Sequence, residues 1–163
     1  MRGTEPLDRK NLTSETAVLP MSFSSLRFRT FCHATEDERK VRQALDFVTG
    51  GAEIQSQYTK GLHGNRLVVM EAAVKGRAKI DEFWSRVGMS GIVPEILEKL
   101  EPRISESLEL CLRFDKQGAY LGHFALDSGG DVIHLRAKGD VRPAQMDGAV
   151  AAIRRYFQKR EQC

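Results

Sequence analysis

Residues 26–51, LRFRTFCHATEDERKVRQALDFVTGG, change their hydrophobic period halfway along, and that change decides the fold class. From Leu26 to His33 the pattern alternates with a period of two. Leu26, Phe28, Thr30 and Cys32 fall on one face, as in a half-buried strand. Thr35-Glu36-Asp37-Glu38 then has the form of a capping box, in which the threonine hydroxyl and the Glu38 carboxylate satisfy the first free amides of a helix. Acidic residues in that first turn also suit the positive end of the helix dipole. Val41, Ala44, Leu45 and Val48 follow at helical spacing, and Gly50-Gly51 ends the helix.

The same switching continues outward. Residues 52–60 and 66–75 read as two strands joined by GLHGN, whose glycines and asparagine permit the backbone angles of a hairpin loop. Ile80, Phe83, Trp84 and Val87 define a second helix, broken by Gly88 and Gly91. A short third helix over 94–101 begins at Pro94, a favoured first-turn position, and stops before Pro102. In SLELCLRF (107–114), Leu108, Leu110, Leu112 and Phe114 face in, while Glu109, Cys111 and Arg113 face the other way. FALD (124–127) and VIHLRAK (132–138) flank SGG as a further hairpin with a short first arm. Pro143 starts a last helix with Met146, Val150, Ile153 and Phe157 on one face.

Strands in hairpins mixed with helices predict an α+β two-layer sandwich, a mostly antiparallel sheet with helices packed on one face. Strict βαβ alternation is absent, which disfavours a doubly wound parallel sheet. Residues 1–25 lack sustained periodicity and read as a flexible N-terminal arm. Met21 offers an alternative opening for a shorter chain. The remainder, 26–163, reads as a single domain.

With 163 residues the chain can bury a real core. Its net charge of +3 and pI near 8.8 permit nucleic-acid binding without requiring it, since clustering decides. Three cysteines with no CxxC pair argue against a disulfide framework or a zinc site and fit a reducing, cytoplasmic setting. No apolar run approaches the ~20 residues that span a bilayer, and the N-terminus has no apolar segment of secretory type. No membrane, metal or cofactor is expected.

Catalytic motifs are equally scarce. There is no GxGxxG after a strand, no P-loop, no HExxH and no GxSxG. His33, His63, His123 and His134 lie on different elements and form no local ligand pair. Cys32 and Cys111 read as packing residues, and Glu95, Glu98 and Glu101 as one solvated helix face. Trp84 sits on an apolar stripe and reads as core. Asp115 suits a helix cap or turn better than a general base.

Binding chemistry is richer. Arg27, Arg29, Phe31 and His33 share one face of the first strand, a basic row with an interleaved aromatic ring suited to phosphate contact and base stacking. His134, Arg136 and Lys138 share a face of the late strand with Val132, and Arg113 points outward from its own strand. Pooled, these cations would make one basic side of a sheet. Spacing alone leaves open the alternative of an ordinary wetted face. Lys60, His63, Asn65 and Arg66 concentrate at the hairpin tip, which is either an RNA-contacting loop or simply a turn. In RFDKQGAYLG (113–122), Asp115 caps a single helical turn. Lys116 and Gln117 are then expected to be exposed at an amide-rich start that attracts phosphate. Tyr120 packs its ring and offers its hydroxyl. A purely structural corner is the competing reading.

FCHATEDERKV (31–41), HGN (63–65), FW (83–84) and DKQGAYLG…DVIHLRAK (115–122 and 131–138) occur in an order that resembles a family of small archaeal proteins. These are described as RNA-binding and as predicted exosome-associated. The resemblance covers the chain from about Leu26 to the last helix. It implies an α+β fold similar to the RNA-binding domain of a large-subunit ribosomal protein. It also implies a non-enzymatic cytosolic protein that contacts RNA in processing or degradation. It directs attention to His33, His63, Gly64, Asn65, Asp115, Lys116, Gln117 and Tyr120. Arg66 stands where the family commonly has proline, and His123 where an acidic residue is common. An alternative is an interaction subunit of an RNA-processing complex with no RNA contact of its own. A more distant one is a small hydrolase using His33 or His63 with Asp115.

Overall fold

A computed structural model describes residues 21–140 and 145–161. Pro143, the expected start of the last helix, and the first 20 residues of the expected arm lie outside the described residues. Five strands form one sheet: β1 (Phe23–His33), β2 (Ile54–Lys60), β3 (Arg66–Lys75), β4 (Leu110–Asp115) and β5 (Val132–Gly139). Their order is β2-β3-β1-β5-β4, and every neighbouring pair is antiparallel. The helices are α1 (Glu38–Thr49), α2 (Arg77–Ser90), α3 (Val93–Glu98), α4 (Lys116–Tyr120) and α5 (Met146–Glu161), with a 3-10 turn at Glu101–Arg103. This is the α+β class that the changes of period predict.

Alternation fixes which side of the sheet meets the helices. Leu26, Phe28 and Cys32 of β1, Val68, Met70 and Val74 of β3, and Leu110, Leu112 and Phe114 of β4 are buried on one side. Val41, Leu45 and Val48 of α1, Phe83 and Trp84 of α2, and Phe157 of α5 complete that core. Its centre is a chain of aromatic rings running Phe28–Phe83–Trp84–Phe157, with centroids 5.4, 4.9 and 5.1 Å apart and near-perpendicular planes. Edge-to-face packing of this kind adds roughly 0.5–1.5 kcal/mol per pair beyond burial, so it ties strand and helix layers together at one point.

Several local expectations change, among them Gly88, which lies inside α2 and does not break it. β1 begins at Phe23, not Leu26: Phe23 is buried with its ring 5.0 Å from Trp84. A polar flank hid that apolar residue. The capping box does not form. Asp37 is the N-cap, its carboxylate accepting from the Arg39 amide at 2.9 Å, because a turn from His33 to Glu36 delays the helix start. Leu108 stands outside β4, in the left-handed region at φ 63°. The segment 124–127 forms no hairpin with β5. Instead, Leu126 bridges to Phe114 on the free edge of β4, and β5 lies between β4 and β1.

Candidate nucleic-acid interface

Among the described residues, no helix of the core lies on the second side of the sheet, and register places its side chains. Arg27 on β1 stands opposite Ala73 of β3 on one flank and Arg136 of β5 on the other. Arg29 stands opposite Glu71 and His134. Across the next pair, Arg136 is opposite Cys111 and His134 is opposite Arg113. Arg27, Arg29, Arg113, Arg136 and Lys138 therefore share one exposed face over the adjacent strands β1, β5 and β4. Lys75, opposite Ser25, continues the same face on β3.

Two carboxylates temper this charge. Glu71 pairs with Arg29 at 3.9 Å, both exposed. Glu109 lies beneath Arg27 and Arg136, at 3.5 and 3.0 Å, and is itself almost fully covered. Among the described residues, six cations against Glu71, Glu109 and Asp115, the last of which turns to cap α4, leave a positive excess on the face. Phe31 is half-buried there, with the Arg29 guanidinium 5.6 Å from its ring centre. Val69 and Leu67 of β3 lie beside it in register with Phe31 and His33. Cations and a stacking-competent ring on an open sheet face are the two elements of single-strand recognition.

His134 sits among these groups without adding charge at neutral pH. Burial, then Arg113 and Arg29, push its pKa below the usual histidine value. The unfolded chain therefore binds a proton on acidification before the folded domain does. Stability is expected to fall as pH drops below about 6.5, levelling off once the folded imidazole also protonates. Thermal melts at about pH 7 and pH 5 check this: His134→Gln is expected to flatten the loss, and an unchanged pH profile would contradict it.

The remaining predicted site residues are distributed elsewhere. His33 is exposed at the end of β1, on the open face. Lys60 and Arg66 face the helix side: Arg66 lies 4.4 Å from the centre of the Tyr58 ring and 4.0 Å from the Glu38 carboxylate of α1. His63 and Asn65 are exposed in the β2–β3 turn, where Gly64 takes φ 76° and the Gly61 amide donates to the Asn65 carbonyl at 2.7 Å. That turn lies at the β2–β3 edge and Asp115 at the β4 edge, so the sheet does not bring His63 and Asp115 together.

Lys116 requires a correction. It is buried, not exposed: its Nζ donates to the Phe31 carbonyl at 2.7 Å and pairs with Glu36 at 3.0 Å and Asp131 at 2.8 Å. Asp115 caps α4 as expected, its carboxylate accepting from the Gly118 amide at 2.9 Å. The amide-rich start of this five-residue helix is therefore occupied from within the chain. Gln117 is exposed, and Tyr120 is half-buried with the Lys40 ammonium 5.6 Å from its ring centre. Burial, with Glu36 adding to it, raises the Cys32 thiol, and burial raises Cys111, as suits packing residues. Among the described residues, no group of three histidine, cysteine or acidic side chains could hold a metal ion. Likewise no helix there is long and apolar enough to cross a membrane. Glu109 is the member of this face that the sequence undervalues: alternation puts it beside Arg113, but only the sheet order puts two arginines over it.

Comparison with known proteins supplies the family. A family model described as RNA binding matches residues 25–139. The chain is 32% identical over 145 residues to a Pyrococcus abyssi protein named RNA-binding protein, covering 82% of this chain and 93% of that one. It also resembles the solved structure of a DUF54 protein from Methanothermobacter thermautotrophicus, with TM-score 0.73 and 32% identity over 82% of this chain and 97% of that one. A second DUF54 structure, from Archaeglobus fulgidus, gives TM-score 0.74 and 31% identity, covering 83% and 99% of the two chains. The chain belongs to the family described as RNA binding.

Proposed function

We propose that this protein binds RNA, without catalysis, through the open face of its sheet. The observation that carries the reading is the register of Arg27, Arg29, Arg113, Arg136 and Lys138 across three adjacent strands. Cations at sheet spacing match a run of backbone phosphates, while Phe31 offers a ring to a base. The name of the Pyrococcus abyssi relative supports the same partner class. A role in RNA processing or degradation in the cytoplasm, with association to an exosome-type complex, is the finer part of this proposal. A likeness to a ribosomal-protein RNA-binding domain belongs with it.

The test is fluorescence anisotropy with unfractionated tRNA and with a single-stranded oligouridylate, titrated against salt. Four to five phosphate contacts on a single strand predict a log–log slope of about −3. Absence of binding to both RNAs at low salt would overturn the proposal. Pull-down after ribonuclease treatment addresses the complex. Loss of co-purifying proteins supports a direct RNA link, whereas a retained stoichiometric partner favours the interaction-subunit reading.

A further inference from the structure

Arg27 and Arg136 are registered partners on β1 and β5, and both guanidiniums lean on one carboxylate. We infer that Arg27 and Arg136, set by Glu109, form a built subsite for a single backbone phosphodiester of RNA. This rests on the proposed use of the open face and identifies the part of it that is geometrically fixed.

Side-chain entropy is what two neighbouring surface arginines lose when they converge on one anion, and their mutual repulsion opposes it. Glu109 removes both obstacles before any ligand arrives. Its Oε2 meets the Nη2 of Arg27 at 3.5 Å and its Oε1 meets the Nη2 of Arg136 at 3.0 Å. Each guanidinium spends one terminal nitrogen on this bond, leaving the rest of its donor fork free. Exposure follows the same division: the side chain of Glu109 is 11% accessible, while those of Arg27 and Arg136 are 59% and 50%. The carboxylate lies underneath and the cations above, so an approaching anion meets the guanidiniums first. A phosphodiester suits the pair because its two free oxygens match planar donor forks.

The carboxylate is itself held in place. Ser107 donates to Glu109 Oε1 at 3.1 Å, and the Ser105 hydroxyl accepts from the Glu109 amide at 3.1 Å. The turn from Ser105 to Glu109 closes on the Leu108 amide and the Ser105 carbonyl at 2.9 Å, forcing Leu108 to φ 63°. A left-handed leucine is costly, and here it delivers Glu109 beneath the two arginines. Arg136 also reaches Ser107 Oγ at 3.4 Å, so the turn positions one cation directly.

The experiment compares wild type, Glu109→Gln and the double variant Arg27→Lys with Arg136→Lys, using an oligouridylate about 15 nucleotides long and thermal melts in parallel. Glu109→Gln raises net charge by one, so a carboxylate that only damps the field predicts tighter binding. A positioning carboxylate predicts the opposite sign, a loss of about fivefold. The lysine pair keeps both charges over the covered Glu109 carboxylate, and the parallel melt reports whether the fold is kept. Loss of the forks predicts about tenfold weaker binding there with little change in the melt. Tighter binding by Glu109→Gln, or full affinity in the lysine pair, overturns the subsite while leaving the open face intact. A wild type that binds no RNA overturns both readings.

Discussion

Reversing Arg29, Arg113 and Lys138 to glutamate is expected to lower RNA affinity by at least about a hundredfold at moderate salt and to flatten the salt dependence by about two units. These residues are chosen because they are exposed and, among the described residues, none pairs with a buried carboxylate. Among the described residues, Arg29 pairs with the exposed Glu71 at 3.9 Å and lies 5.6 Å from the centre of the half-buried Phe31 ring, and Arg113 makes a long contact to the Ser128 carbonyl at 3.5 Å. Surface pairs of that kind contribute little to stability, so the variant is expected to fold. On the proposed use of this face, each reversal is expected to remove one phosphate contact and add one repulsion, and the three lie on three different strands of the face. The control is a variant with the same change in net charge on the helical layer: Lys40, Lys79 and Lys99, all exposed, reversed to glutamate. If binding depends on overall charge, the two variants lose equally. If it depends on the open face, the control stays within about threefold of wild type, since distant exposed charges are screened. Equal losses would contradict the assignment of the site.

Much of this face is legible in the sequence because alternation is a local property. Arg27, Arg29, Phe31 and His33 read as one side of a strand whichever neighbours it acquires, and the same holds for His134, Arg136 and Lys138. What alternation cannot supply is which strands lie beside each other. β1 and β5 are separated by more than half the chain, yet they pair residue by residue from Leu26–Ala137 to Arg29–His134. That pairing turns two separate basic rows into one surface. The hairpin residues show the reverse case. Lys60 and Arg66 stand opposite each other where β2 and β3 meet the turn, yet the Tyr58 ring and Glu38 draw Arg66 to the helix side. Reading Lys60, His63, Asn65 and Arg66 together as a tip weights loop composition over strand parity. Asp37 displaces Thr35 as the cap for a related reason. Two capping residues lie within three positions, and the choice is made by the turn that leaves β1, outside the reach of local propensity.

Replacing Lys116 by methionine is expected to destabilise the domain by about 3 kcal/mol, read as a fall of roughly 10 °C in the melt. Methionine keeps the apolar stem, so the loss isolates the ammonium group. Three segments converge on that group: the Phe31 carbonyl at the end of β1, Glu36 in the turn before α1, and Asp131 just before β5. The Phe31 carbonyl loses a donor at 2.7 Å, and a buried acceptor left unpaired costs about 1–3 kcal/mol. Glu36 is 24% accessible and loses a cation that contacts both its oxygens, at 3.0 and 3.2 Å. It keeps only the His33 amide at 2.8 Å. Asp131, 55% accessible, turns to water and adds little. The segment whose charge and position suggest a phosphate contact instead locks the sheet to the turn before the first helix. The two roles separate cleanly in one measurement. A structural lock predicts a large fall in melting temperature with RNA affinity kept well below the melt. A phosphate contact predicts an unchanged melt with affinity reduced and the salt slope lowered by about one unit. Lys116→Arg sharpens the distinction: it preserves charge for a phosphate, but the wider guanidinium does not fit a site closed at 7% accessibility, so it is expected to destabilise as well.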